Sequence, residues 1–440
     1  MGRPDSAAPP APRRRLSRPA RIVAVLALGL GLAAPAHAAR SWPDTSRGVH
    51  VFNDQLASGL TAAQERFAAR RYAGAQKLTR SQARRLRAIR PGFLVLHYRL
   101  GLGLGNRATE RGCDPTGEPI RVIEGDRWVE EFPANPDPDW FYRVGGRRVL
   151  QCTWGWYLAD VAGAAWRAWW PGEVLRQVRA NEDDGVFMDS TSVPNYFGGS
   201  SFQPALPEVD EAFERDWTGR VDGWLAFLQS QPLGDHALIP NAGSWITTRD
   251  RTTYAAADGV MIEGFALPGD GEAYAPADWA LQADRVLGLV RRGKVLIGQS
   301  YATRPRGRLF ALGTYLLVKG RRSYLNLEAG MAPEWWPEYG VPIGRPLAGP
   351  ARRVGALRDA AAGVYRRAFT NGEAIVNPSA SSRAVRLRRA AWLAVPRGGG
   401  TVPASGRPPG RLAWRRVRRV VLPPASAGIL VARRPRAPRD

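Results

Sequence analysis

Cysteine and histidine are scarce in this chain of 440 residues, which contains two cysteines and four histidines. So few cysteines exclude a disulfide-dense scaffold and a zinc or iron–sulfur site built from several thiolates. Four histidines leave little material for a histidine-rich metal centre. Cys113 and Cys152 could pair in an oxidising compartment, which their separation along the chain neither proves nor excludes.

Several catalytic motifs are missing as well. There is no Gly-x-Ser-x-Gly elbow, which disfavours an α/β-hydrolase, and no His-Glu-x-x-His, which excludes a zincin. No glycine-rich phosphate fingerprint follows the first expected strand, so a doubly wound nucleotide-binding sheet is only an alternative architecture. Beyond the N-terminal region, no segment is long and apolar enough to span a membrane.

Lysine is also rare, with three residues against sixty arginines, and the formal net charge is +24. That charge is unevenly spread: residues 1–39 carry +5 and residues 380–440 carry +14, which leaves +5 for residues 40–379. A central region of that size and charge is ordinary for a soluble protein, so we expect no nucleic-acid partner. The arginine-rich C-terminal region is the candidate for contact with an anionic cell-surface polymer.

The N-terminus has the pattern of an export signal. Five arginines between residues 13 and 21 precede an apolar run over residues 22–34, which ends before Ala36-His37-Ala38. This order predicts a signal peptide over residues 1–38, cleaved near Ala38, and a secreted or extracytoplasmic bacterial protein with no integral membrane segment after cleavage. An uncleaved anchor is the alternative, which the shortness of the run disfavours.

The central region alternates short apolar strands with amphipathic helical stretches, an order typical of βα units. Helical patterns fall at 81–89, 161–178, 209–229, 276–291 and 308–319. Eight strands are expected at 49–53, 73–78, 93–100, 186–189, 236–241, 260–263, 295–299 and 323–327. The sequence therefore predicts an α/β fold, a (β/α)8 TIM barrel over residues 39–350, with residues 101–147 forming a long loop over its mouth.

The sequence pattern changes after Pro350, where alternating strands and helices give way to short strands alone. Short strands separated by Gly, Pro and Ser turns are expected at 364–369, 373–377, 384–387, 390–395, 417–422 and 428–432, and residues 397–410 are expected to form a loop. This pattern predicts a small all-β sandwich domain over residues 351–435, followed by a tail at 436–440.

One short pattern occurs twice: DGVFMD at 184–189 and DGVMIE at 258–263. In a barrel the apolar triplet is the buried strand, so the first acid lies at the bottom and the last at the top, where active sites are built. Asp184 and Asp258 are therefore expected to be turn or capping residues. Asp189 and Glu263 are expected to project into the mouth from strands 4 and 6.

Two carboxyl groups at a barrel mouth are the minimum equipment for glycoside hydrolysis, in which one is ionised and the other holds a proton. We expect Asp189 to be the nucleophile and Glu263 the general acid/base. The alternative is that each carboxylate only caps the helix after its strand, but two acids at equivalent strand ends are harder to explain in that way.

Other polar or aromatic side chains fall at expected strand ends and are candidates for substrate binding, because hydroxyl-rich ligands need polar partners and flat aromatic surfaces. For a lone histidine or tryptophan a structural role is the commoner alternative, and Glu328 has capping as an equal alternative. The candidates are Asp54, His97, Tyr98, Asn241, Trp245, Gln299, Tyr301 and Glu328.

These motifs have a family resemblance. The segments GVFMD at 185–189, PNAG at 240–243 and DGVMIEGF at 258–265 resemble the hypothetical glycosyl hydrolase family 15, and YRRAF at 365–369 with VNP at 376–378 resembles its trailing β-domain. The Asp on strand 4 and Glu on strand 6 are also similar to those of glycoside hydrolase family 66 dextranases. That resemblance implies the nucleophile role for Asp189, the acid/base role for Glu263, and an α-linked polysaccharide substrate.

The resulting expectation is a secreted, monomeric glycoside hydrolase that cleaves a polysaccharide or oligosaccharide with net retention and requires no cofactor or metal. A carbohydrate is the expected partner. Two alternatives remain open: a non-catalytic carbohydrate-binding barrel that handles cell-surface polysaccharide, and a binder of anionic polymer that acts through the C-terminal arginines.

Overall fold

The computed structural model describes residues 41–105, 113, 135–327 and 330–435. The expected signal peptide, the expected C-terminal tail and Glu328 lie outside these residues. Within the described part of the chain, no helix is long and apolar enough to cross a membrane.

Eight parallel strands form one sheet in the order β5-β4-β3-β2-β1-β8-β7-β6. The sheet closes between β5 and β6, where Asn241 pairs with Met261 and the Ala242 N–H donates to the Met261 carbonyl. The (β/α)8 barrel is thereby confirmed. The strands are β1 Val51–Asn53, β2 Tyr72–Gln76, β3 Leu94–Leu100, β4 Gly185–Asp189, β5 Ala237–Pro240, β6 Gly259–Glu263, β7 Val295–Ser300 and β8 Ser323–Leu327.

The barrel interior is filled by apolar side chains from all eight strands, because alternate residues of each strand point inward. They form one buried cluster, separate from the shell between strands and helices. Its members include Phe52, Leu96, Phe187, Ile239, Met261, Ile297 and Tyr324. The polar residues that follow these positions by two therefore lie at the barrel mouth.

In the part of the chain that the structure describes, six α-helices accompany the strands: α1 Ala62–Arg71, α2 Arg80–Ile89, α3 Ala164–Asn181, α4 Glu211–Gln229, α5 Pro276–Arg291 and α6 Pro305–Val318. Helix α1 is additional to the sequence prediction, which missed its Thr61/Gln64 capping box and its narrow apolar face. No helix joins β5 to β6. Residues 241–258, which connect these strands, form an irregular loop that contains several turns. Single-turn helices lie at Pro138–Trp140, Pro194–Phe197, Gly199–Ser201, Pro232–Asp235, Pro337–Gly340 and Val354–Leu357.

Most of the long loop expected at residues 101–147 lies outside the described residues, at 106–112 and 114–134. A small antiparallel sheet follows the carboxyl end of β3. It contains Gly103–Leu104, Leu150–Gln151, Trp156–Leu158 and Phe202–Gln203, and a separate hairpin pairs Arg143–Val144 with Arg147–Arg148. A disulfide joins Cys113 to Cys152, which settles the pairing that the sequence left open.

The C-terminal region is all-β, as predicted. Its main strands are β9 Val364–Phe369, β10 Gly372–Asn377, β11 Arg383–Arg397, β12 Arg411–Leu422 and β13 Ser426–Val431, with the short Arg358–Asp359 at one edge. Val364 on β9 and Val420 on β12 share one buried cluster although three strands separate them in the sheet order β9-β10-β13-β11-β12. The sheet therefore folds over onto itself and encloses its own core, as a sandwich does.

Three details of this region differ from the prediction, the first being that β12 begins at Arg411 and not at residue 417. The strands expected at 384–387 and 390–395 are one long strand, β11, whose pairing with β12 is irregular between Arg386 and Ala391. The loop expected at 397–410 contains a short strand, Gly400–Thr401, that pairs with Glu334–Trp335 after the barrel.

The β-region packs on helix α6. The Arg367 guanidinium donates hydrogen bonds to the carbonyls of Leu316, Leu317 and Lys319 at 2.9–3.1 Å, and so satisfies the last turn of that helix. One turn earlier, a Cβ added at Gly313 would lie 2.5 Å from the Ala427 Cβ and 2.9 Å from the Val376 Cγ2. Close approach of helix and sheet therefore depends on a glycine at position 313.

Two matched Gly→Ala substitutions test this packing. Gly313→Ala forces helix and sheet apart, and we expect a loss of about 1–3 kcal/mol in the free energy of unfolding. Gly219→Ala, in the exposed middle of α4 where the added Cβ meets nothing within 4 Å, should raise that free energy by about 0.5–1 kcal/mol. Urea unfolding measures both, and a Gly313→Ala protein as stable as wild type would contradict the packing argument.

Candidate active site

Asp189 and Glu263 are the last residues of β4 and β6, and Asn241 follows β5, which lies between those strands. The Asn241 Nδ2 donates to Asp189 Oδ1 at 2.9 Å and to Glu263 Oε2 at 2.7 Å, so these two carboxylate oxygens are at most about 5.6 Å apart. One amide group thus joins both carboxylates at the same end of the barrel.

The orientation of the Asn241 amide is set by its own backbone. Its Oδ1 accepts a hydrogen bond from the Gly243 N–H at 2.9 Å, and Gly243 has the positive φ of 59° that this turn requires. Because the oxygen is engaged in the turn, the NH₂ group with its two donors faces the carboxylates.

Asp189 accepts hydrogen bonds at both oxygens. The Tyr98 hydroxyl donates to Oδ2 at 2.8 Å, and the Ser190 N–H joins Asn241 at Oδ1, also at 2.8 Å. Three donors and no acceptor around one carboxyl group suit an ionised side chain, because a carboxylate can only accept. The surroundings thus favour a negative charge on Asp189.

Glu263 has different surroundings. Burial raises its pKa above the usual range, and the negative charges of Asp189 and Asp54 raise it further, against the opposing hydrogen bonds from Tyr301 and Asn241. The Tyr301 hydroxyl donates to Oε1 at 2.5 Å and itself accepts from the Gln299 Nε2 at 3.0 Å. Glu263 therefore holds its proton more tightly than an ordinary glutamate.

A second charged group lies beside this pair at the ends of β1 and β2. The Lys77 ammonium donates to Asp54 Oδ2 at 2.7 Å, and the Gln76 amide donates to Asp54 Oδ1. The same ammonium lies 5.3 Å from the centroid of the Tyr98 ring, which connects it to Asp189. Lys77 was not among the predicted site residues, although it is one of three lysines and sits at the end of an expected strand.

Two of the predicted site residues are not brought to this cluster. His97 points outward between Asp183 and Gln177, at 3.0 and 2.9 Å, because its neighbour Tyr98 takes the inward position on β3. Trp245 is only 6% exposed and packs edge-on against Tyr254 at 5.2 Å. Glu328 lies outside the described residues, whereas Asp54, Tyr98, Asn241, Gln299 and Tyr301 lie together with the two carboxylates.

The acids that begin the two repeated patterns lie at the other end of the barrel. Asp184 accepts a hydrogen bond from the Val95 N–H at 2.8 Å, and Asp258 accepts one from the Leu238 N–H at 2.9 Å. Each acid ties its own strand to the preceding one in the chain. This matches the structural role that the sequence predicted for them.

Within the described residues, no three His, Cys, Asp or Glu side chains are grouped so that they could hold a metal ion. Three aromatic side chains on segments that follow the barrel strands at the mouth are exposed to solvent, and one of them is Phe197, at 39%. Tyr301 is 38% exposed. Trp154 is 48% exposed and lies on the turn between Leu150–Gln151 and Trp156–Leu158 of the small antiparallel sheet that follows β3. Flat rings of this kind are surfaces on which a sugar ring can stack.

The model of the hypothetical glycosyl hydrolase family 15 matches residues 87–373, well over half of the chain. The chain belongs to this family. The match includes Asp189, Asn241 and Glu263, and it confirms the family that the motifs resemble. No curated protein matches the chain.

Three solved structures are similar to the chain over most of its length. A Paenibacillus sp. cycloisomaltooligosaccharide glucanotransferase has 9% identity and a TM-score of 0.34, with 89% of this chain and 56% of that one covered. A Thermotoga neapolitana maltogenic alpha-amylase has 10% identity and a TM-score of 0.38, with 87% of this chain and 98% of that one covered. A Pseudomonas mesoacidophila trehalulose synthase has 11% identity and a TM-score of 0.37, with 87% of this chain and 92% of that one covered. The chain thus spans little more than half of the first protein, and at such TM-scores the likenesses carry no conclusion about substrate or reaction.

The raised pKa of Glu263 predicts how stability depends on pH. A pKa raised in the folded state means that wild type loses stability as the pH rises through it, because ionising Glu263 is harder in the fold than in the unfolded chain. Glu263→Gln has no such loss. We expect the free energy of unfolding of Glu263→Gln to increase relative to that of wild type as the pH rises. The increase should be about 1.4 kcal/mol for each unit by which the pKa of Glu263 is raised.

Urea unfolding between acidic and slightly alkaline pH measures this gain. Glu211→Gln, on the exposed side of α4, is the matched control and should show no comparable gain. A stability difference between Glu263→Gln and wild type that stays constant across the pH range would contradict the raised pKa.

Proposed function

We propose that this protein is an exported glycoside hydrolase that cleaves a polysaccharide or oligosaccharide with retention of configuration. The observation that carries the proposal is the Asn241 amide, which binds Asp189 and Glu263 simultaneously. Retaining glycosidases have their two carboxyl groups about 5–5.5 Å apart, whereas inverting ones leave about 6.5–9.5 Å for a water molecule. The upper limit of about 5.6 Å between the oxygens joined by Asn241 is shorter than the separation in inverting enzymes, which supports retention.

The different surroundings of the two carboxyl groups support a division of roles. Asp189, with three donors on its oxygens, is the ionised nucleophile that attacks the anomeric carbon. Glu263, whose pKa is raised, is the acid that gives its proton to the leaving glycosidic oxygen. Membership of a family of glycosyl hydrolases agrees with this assignment.

The second half of the reaction returns both groups to their starting state. Glu263, now ionised, takes a proton from a water molecule, and the resulting hydroxyl group attacks the anomeric carbon. The bond between Asp189 and the sugar breaks, so the carboxylate is regenerated and the product has a free hydroxyl group at the anomeric carbon. Asn241 and Tyr301 hold the glutamate in place through both steps.

An α-linked glucan is the first substrate to examine. This choice rests on the resemblance of strands 4 and 6 to those of family 66 dextranases. The exposed rings of Trp154 and Tyr301 near the mouth offer stacking surfaces for neighbouring sugar units.

Removing either carboxyl group should abolish hydrolysis while binding persists. We expect Asp189→Asn and Glu263→Gln each to lower kcat by about 10²–10⁴-fold, because Asn and Gln can neither attack nor donate a proton as required. Release of reducing ends from a panel of polysaccharides that includes dextran measures this loss. The controls Asp216→Asn and Glu211→Gln, both on the exposed side of α4, should hydrolyse at the wild-type rate.

One outcome of that assay favours the alternative of a non-catalytic binding barrel. If wild type binds a glycan of the panel but releases no reducing ends from it, and Asp189→Asn binds equally well, the catalytic assignment is wrong.

Retention can be observed directly. We expect the first product formed from an α-linked substrate to be the α-anomer, because two successive displacements at the anomeric carbon restore its configuration. Proton NMR during the first minutes of hydrolysis, before mutarotation, distinguishes the anomers. Initial release of the β-anomer would show inversion and would remove the nucleophile role from Asp189.

A further inference from the structure

Strands β11 and β12 form a hairpin, hereafter the arginine hairpin (Arg383–Arg397 and Arg411–Leu422), whose charge is of one sign. Residues 374–439 contain fifteen arginines and no aspartate or glutamate. Nine arginines of the hairpin are exposed: Arg386, Arg388, Arg389, Arg397, Arg411, Arg415, Arg416, Arg418 and Arg419. Among the described residues, none of these nine forms an ion pair with an acidic side chain.

The pairing of the two strands places like charges face to face. Arg386 lies directly opposite Arg419, and Arg397 directly opposite Arg411. Like charges at directly opposed positions destabilise an antiparallel pair. The same β-region neutralises another arginine, because Arg366 on β9 contacts both Asp359 and Glu373. Within the described residues, no acidic side chain compensates the repulsion in the hairpin, and an anion bound between the opposed arginines would remove it.

The arginines form a line and not a single pocket. Arg411, Arg415 and Arg419 are spaced by even numbers of residues, so they lie on the same side of β12. At about 3.4 Å per residue, the line from Arg411 to Arg419 extends over as much as about 27 Å. A surface of that length fits an extended polymer with repeated charges. Guanidinium groups bind carboxylates through two parallel hydrogen bonds, which suits a polymer that carries carboxylates.

The aromatic side chains of the hairpin are not available to nucleobases. Trp392 and Trp414 are half-buried and pack against the main core, and no large aromatic side chain of the hairpin is exposed in the described chain. Proteins that bind single-stranded nucleic acid stack bases on exposed aromatic rings, which this surface does not offer. The chain belongs to a hypothetical glycosyl hydrolase family, and this membership favours a sugar polymer as the partner of the hairpin.

We propose that the arginine hairpin is a second binding site, which holds a carboxylate-bearing polysaccharide along the line of its arginines. This site goes beyond the proposed catalytic function and does not depend on it, because the barrel carboxylates take no part. We therefore expect Asp189→Asn to keep the polysaccharide binding of the arginine hairpin. If the hairpin does not bind such a polymer, the catalytic proposal is unaffected.

Binding of three polymers to the full mature chain tests the proposal: polygalacturonate, neutral dextran and duplex DNA of matched charge. We expect wild type to bind polygalacturonate more tightly than DNA, with affinity falling steeply as salt rises because counterions are released. The variant R386Q/R397Q/R411Q/R419Q should bind polygalacturonate at least about ten-fold more weakly. The double variants R386Q/R419Q and R397Q/R411Q should each lose part of this affinity, which keeps the test valid if the fourfold variant folds poorly.

The control R66Q/R70Q/R291Q/R292Q removes four exposed arginines from α1 and the end of α5. It changes the net charge equally and should alter binding less than two-fold, a limit of about 0.4 kcal/mol. Equal weakening by the control would assign binding to net charge alone. Unchanged binding by the hairpin variants, or DNA bound as tightly as polygalacturonate, would also overturn the proposal.

Discussion

The two hydrogen bonds donated by the Asn241 amide determine the geometry of the barrel mouth. Each of its two N–H groups reaches a carboxylate on a different neighbouring strand, and the turn at Gly243 fixes which way the amide faces. Two carboxyl groups so close would repel each other if both were ionised, and that repulsion contributes to the raised pKa of Glu263. The proximity and orientation of the two acids thus have one structural origin, which adds to the larger effect of burial on the pKa of Glu263.

Much of this arrangement could be predicted from the sequence, because parallel strands in a barrel have a fixed polarity. The repeated pattern placed Asp189 and Glu263 at the top and Asp184 and Asp258 at the bottom, and the hydrogen bonds of the two lower acids to neighbouring strands agree with that polarity. All eight barrel strands lie within two residues of their expected positions, since each is a short apolar run bounded by turn residues.

Side-chain direction and long-range contacts could not be predicted in the same way. His97 and Tyr98 are adjacent at the end of one strand, and only the fold decides that the tyrosine faces Asp189 while the histidine faces α3. The bridging role of Asn241 depends on distances between three strands, which no local pattern encodes. Lys77 reaches Asp54 across 23 residues of chain, so a single lysine gave little indication of its position in the cluster.

The closure of the barrel between β5 and β6 has a mechanical consequence. These two strands meet through the isolated pairing of Asn241 with Met261 and not through a continuous ladder, and no helix spans the connection between them. This short pairing therefore lies between the two strands that carry the acid pair. A shift of β6 relative to β5 at this pairing would change the width of the cleft between Asp189 and Glu263.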